Sequence, residues 1–118
     1  MSKAQMWILY AVTGAGPKVE LTALPAVAAL GETTPGCPRI VPAGRLAAIA
    51  SPFNGDKARS EPRNLAAHQG VLRHLMSAGV DFLPAGFGMV ASSREAIVEL
   101  LRANREPLLA DLRRLSGK

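Results

Sequence analysis

Residues Met6-Trp7-Ile8-Leu9-Tyr10-Ala11-Val12 form an unbroken apolar run, closed at once by Thr13-Gly14-Ala15-Gly16-Pro17. Seven residues suit a strand, whereas a buried helix needs ten or more and a membrane-spanning helix about 20. The run is continuous rather than alternating, so it predicts a central strand covered on at least one face. The preceding Lys3 gives it the outline of a short secretory signal, but the apolar stretch is marginal and ends in a turn, so no targeting segment is read. The chain of 118 residues has room for one core, predicting a single α+β domain over 1–118. The sequence is 48% hydrophobic with 20 alanines, which excludes intrinsic disorder while leaving the core thin in large side chains.

Further along, Leu21, Leu24, Val27 and Ala28 fall at helical spacing within 19–31, a short helix that Pro25 interrupts and Gly31 closes. Glu32–Pro38 reads as a loop. Arg39–Val41 and Arg45–Ser51 read as two strands of a hairpin joined by Pro42-Ala43-Gly44. Pro52–Pro62, with Asn54-Gly55-Asp56, reads as an exposed loop. A helix is predicted from Arg63 to Ala78, stopping at Gly79, with Leu65, His68, Leu72, Leu75 and Met76 on its buried face. Val80–Val90 is an apolar strand broken by Pro84, Gly86 and Gly88. Ser92 and Glu95 have the spacing of a capping box, opening a helix that buries Ile97, Leu100 and Leu101. Pro107 then starts a last helix with a leucine face of Leu108, Leu109, Leu112 and Leu115. The simplest arrangement of these elements is βαββαβ: a ferredoxin-like antiparallel sheet with helices packed on one face, and a helical C-terminal end.

Side chains suited to chemistry are few. His68 and His74 are the only histidines; six positions apart on one helix, they point about 120° away from each other and cannot share a metal. His68 falls among leucines and reads as a buried histidine hydrogen-bonded to backbone, while His74 points to solvent. A single cysteine, Cys37, excludes a disulfide framework and a thiolate cluster and fits a reducing, cytoplasmic setting. Gly14-Ala15-Gly16 lacks the third glycine of a dinucleotide fingerprint, Val19 standing in its place, and reads as a tight turn. No G-x-S-x-G elbow occurs. Glu95 and Glu99, one helical turn apart, are more simply bridged by Arg94, Arg102 or water. No catalytic residue, metal site or cofactor is therefore expected.

The net charge is +5, with ten arginines and twelve of the fourteen basic residues beyond residue 38. This fits plain solubility, an acidic partner or nucleic acid. With aromatics at 4%, and none interleaved with Arg102, Arg105, Arg113 and Arg114, the stacking platforms of a nucleic-acid surface are missing.

The ordered set of segments Leu65–Leu75, Phe82–Val90 and Ser93–Leu101 resembles the gas vesicle protein F and L family (GvpF/GvpL). Members have a His-led helix, a "vLPxxFG" strand, a Ser/Glu-started helix and a leucine-rich end. Leu9–Val12 and Gly44–Ser51 are similar to the family's first strand and its "dLaAvvS" strand. The family-motif positions are His68, Leu83, Pro84, Phe87, Gly88 and Glu95, whose expected role is structural. Gly86 departs from the Arg that commonly precedes the Phe-Gly pair. Members are also longer, with a further strand and a helical C-terminal domain, so the chain looks like the N-terminal domain alone, with one sheet edge open to pairing.

The resemblance implies a non-catalytic accessory role in forming gas vesicles, with the small shell protein and other accessory proteins as partners and no membrane. It places the chain in the cytoplasm at gas vesicles, with self-association through the open edge as a further expectation. Two other readings stand beside it: a small basic nucleic-acid-binding domain, and a ferredoxin-like ligand-binding or enzymatic domain using His68.

Overall fold

A computed structural model of the chain describes residues 6–21, 24–27, 37–53 and 62–116. The elements run β1 (Met6–Gly14), β2 (Arg39–Ala43), β3 (Leu46–Phe53), α1 (Pro62–Ser77), β4 (Phe82–Pro84), β5 (Val90–Ala91), α2 (Arg94–Ala103) and α3 (Arg105–Ser116). The chain is α+β. The strands form an open sheet in the order β2-β3-β1-β4, and β5 also pairs with β1. Every strand pairing is antiparallel.

β1 is the central strand, buried along all but its two end residues. Its register against β3 slips between Leu9 and Ala11, so Tyr10 and Ala11 together oppose Ile49. This bulge sends both residues to one face of the sheet. Ile8, Tyr10, Ala11, Ile49 and Phe53 pack there with Ala67, Val71 and Leu75 of α1 and with Leu21 and Val27. On the opposite face Trp7, Leu9 and Val12 join Ala48 and Ala50 of β3, Ile97 and Leu101 of α2, and Leu112 of α3.

The expectation that the helices share one face is therefore corrected: α1 covers one face and α2 and α3 the other. A strand as continuously apolar as β1 requires this, because one-sided cover would leave half its side chains in water. No helix is found among the described residues between β1 and β2, and the rest of the short helix expected over 19–31 lies outside the described residues, as does most of the expected 52–62 loop.

Five local expectations shift. The hairpin turn is Gly44-Arg45 rather than Pro42-Ala43-Gly44, with Gly44 at φ +64°. Pro42 stays within β2, tolerated because β2 is an edge strand. The buried face of α1 is Asn64, Ala67, His68, Val71 and Leu75; Leu65 and Met76, expected in the core, are 42% and 68% exposed. The cap of α2 is Ser93, whose Oγ accepts from the Ala96 N–H at 2.9 Å, so the box does not run from Ser92 to Glu95. Of the three residues expected to be buried by α2, Ile97 and Leu101 are, and Leu100 is not. Pro107 falls in the first turn of α3 rather than at its first residue, since that helix starts at Arg105, directly after Asn104.

Candidate functional site

Between β4 and β5 the chain leaves the sheet edge for five residues, Ala85 to Met89, and returns. Pro84 stops regular pairing, and Gly88 at φ +88° turns the chain back in a conformation other residues rarely adopt. The strap so formed stays tied to β1 at both ends. The Ala85 N–H donates to the Tyr10 carbonyl and the Leu9 N–H donates to the Met89 carbonyl, each at 2.9 Å.

His68 reaches the strap from α1. Its Nε2 lies 3.1 Å from the Ala85 carbonyl oxygen, and only 4% of the residue is exposed. A carbonyl only accepts, so Nε2 carries the hydrogen and Nδ1 is left as a lone pair in the neutral ring. That Nδ1 is buried without a hydrogen-bond partner among the described residues. The imidazole packs between Tyr10, ring centres 5.6 Å apart, and Phe87, at 5.7 Å in a T-shaped contact. Burial pushes the imidazole below the ordinary histidine value of 6.5, against a smaller opposing pull from the Ala85 carbonyl.

Tyr10 anchors the same pocket from β1. Its hydroxyl is 2.8 Å from Ser51 Oγ and accepts from the Val27 N–H at 2.9 Å. Those bonds join β1, β3 and the 24–27 segment. The sequence reading missed Tyr10, although a single hydroxyl inside an apolar run signals that a buried partner must exist. His74 also ties α1 to a carbonyl: its Nε2 is 2.7 Å from the Glu20 oxygen, so it is bonded rather than simply solvated.

On the other side of the strap lies an apolar groove of about 260 Å³. Leu83, Ala85 and Met89 form one wall, and Leu100, Pro107 and Leu108 of α2 and α3 the other. Met89 and Leu100 are 47% and 45% exposed. Asn104, at the groove's end, donates both its backbone N–H and its Nδ2–H to the Leu100 carbonyl, which closes α2.

Of the six family-motif positions, His68 and Phe87 are brought into ring contact, and Gly88 shapes the strap that carries Phe87. Leu83 and Pro84 line the groove. Glu95 stands apart, exposed in the first turn of α2, where its charge complements the helix dipole. Among the described residues no group of three His, Cys, Asp or Glu side chains is placed to hold a metal ion. No helix among them is long and apolar enough to cross a membrane.

Comparison with known proteins gives consistent results. A family model described as "Gas vesicle synthesis protein GvpL/GvpF" matches residues 6–118. The fold is similar to the crystal structure of the gas vesicle protein GvpF from Anabaena sp. PCC7120, with a TM-score of 0.79 and 23% identity over 96% of this chain and 46% of that one. It is also similar to GvpF from Microcystis aeruginosa, with a TM-score of 0.70 and 22% identity over 98% of this chain and 45% of that one. The chain thus spans less than half the length of either. Among curated proteins none matches it by sequence.

Proposed function

Because the chain belongs to the gas vesicle synthesis protein family GvpL/GvpF, we propose that it is a non-catalytic accessory protein of gas vesicle assembly. In this reading it acts in the cytoplasm and at forming vesicles, binding the small shell protein and other accessory proteins while vesicles nucleate or grow. The observation that carries the reading is the family match over residues 6–118. The six motif positions are structural, setting the strap, the groove wall and the start of α2.

A shell protein with an apolar face must be kept from aggregating until it assembles, which calls for a partner that covers apolar surface. Self-association belongs to the same proposal: β2 is an edge of the sheet and gives a second copy a strand to pair with, although Pro42 lacks the N–H that part of such a ladder would use. The reading also takes the sheet as ferredoxin-like, supported by its strand order.

Capture of the gas vesicle shell protein by the purified chain, at low and at high salt, tests the proposal. Retention at both salts is expected of an apolar contact. Retention only at low salt points instead to the basic residues and an acidic or nucleic-acid partner, and no retention at either salt contradicts the proposal.

A further inference from the structure

We propose that His68 is a proton-operated latch: the neutral ring holds the strap 85–89 against the sheet edge, and protonation releases the strap while α1 and the sheet stay folded. The inference stands on the pocket and does not depend on the proposed function.

The neutral ring satisfies the pocket on one side only. Nε2–H meets the Ala85 carbonyl, while Nδ1 is buried without a partner among the described residues. Among the described residues, a proton added at Nδ1 therefore creates a buried N–H with no acceptor and a charge with no counter-charge. Among the described residues the groups around the ring offer no counter-charge, only the smaller pull of the Ala85 carbonyl. Among the described residues Tyr10 from β1 is the one titratable side chain in ring contact, and its hydroxyl is engaged with Ser51 and Val27. The strap contributes a carbonyl and Phe87, both uncharged. The 24–27 segment and Leu21 bring Val27 and Leu21 into the same cluster, and α1 itself brings Ala67, Val71 and Leu75. The imidazole is displaced downward from its ordinary value by burial, against the smaller opposing pull of the Ala85 carbonyl.

The strained contact is relieved where the structure is weakest. α1 has sixteen residues and sets three apolar side chains in the core. The strap has five, between strands of three and two residues, and its Gly86 and Met89 are exposed. Short, lightly packed segments open locally at lower cost than a packed helix. Ala85 and Met89 are also one wall of the apolar groove, so release of the strap remodels that wall. The latch thus links a buried proton on the α1 face to apolar surface on the α2–α3 side.

Residue-resolved amide hydrogen exchange on the intact chain tests this, together with an NMR titration of the His68 ring. Between the ordinary histidine value of 6.5 and the lower midpoint of the folded ring, protection of the Ala85 and Leu9 amides should fall by up to about tenfold per pH unit as the pH drops, after correction for intrinsic exchange, and level off below that midpoint, while the Val71 amide in α1 keeps its protection. In His68→Gln, whose amide donates to Ala85 without titrating, protection of the two strap bonds should be flat with pH. Strap amides that stay protected through the His68 titration overturn the proposal, as does loss in step with Val71. Should His68→Gln not fold, the unmodified chain suffices: a ring midpoint that differs from the midpoint of strap release overturns the latch.

Discussion

His68 and Ala85 are joined across 3.1 Å by a side-chain-to-backbone bond, and the Ala85 N–H in turn donates to the Tyr10 carbonyl at 2.9 Å. Both polar groups of one strap residue are thereby fixed, one by α1 and one by β1. This is how a strand broken by Pro84, Gly86 and Gly88 keeps a defined course along the sheet edge.

Stability should depend on pH in a specific direction. The folded-state His68 titrates below 6.5, its value in the unfolded chain. Between those two values the unfolded chain binds more protons, so stability rises with pH there, is fully present above about pH 7 and is lost as pH falls through the window. Urea midpoints at about pH 5 and about pH 7.5 should show a loss on acidification that shrinks in His68→Gln. Equal losses in both chains would assign the effect to other groups.

Tyr10→Phe should destabilise by about 1–3 kcal/mol, because the Val27 N–H and Ser51 both lose their buried partner. Chemical denaturation of the two proteins measures it. A change below about 0.5 kcal/mol, the usual scale of a neutral surface substitution, would mean that the Tyr10 hydroxyl does not join these segments.

The two glycines of the strap should respond differently. Gly88→Ala forces an L side chain into φ +88° and should cost about 1–3 kcal/mol. Gly86 has no positive φ and open space where a Cβ would sit, so Gly86→Ala should be neutral or stabilising by up to about 1 kcal/mol. Thermal melts of both variants separate a conformational requirement from mere proximity to the motif.

Adjacent serines give a further contrast. Ser93→Ala removes the oxygen that accepts from the Ala96 N–H and should cost about 1 kcal/mol. Ser92→Ala should stay within about 0.5 kcal/mol. The reverse order would restore the capping box at Ser92 and Glu95.

The features legible in the sequence were those with strong local signatures: the apolar run of β1, the hairpin around Gly44, the stop of α1 before Gly79 and the broken edge strand. What was misjudged depended on neighbours. On α1 the large side chains Leu65 and Met76 looked like the core face, yet the sheet accepts Asn64 and Ala67. The bulge at Tyr10 sets which β1 residues face which layer, and no spacing in the strand announces it. The capping serine was displaced by one because two serines precede the helix and only the backbone geometry chooses between them. His68 is buried and bonded to backbone, as its place among leucines suggested; its partner Ala85, seventeen residues away, carries no signal of its own.

The measurement that tests the assembly role most directly is light scattering from the gas vesicle shell protein diluted out of denaturant, with and without this chain, at low and at high salt. An accessory protein that covers the apolar face of its partner should suppress aggregation at near-equimolar ratio and do so at both salts. Scattering that is unchanged by the chain would contradict the account.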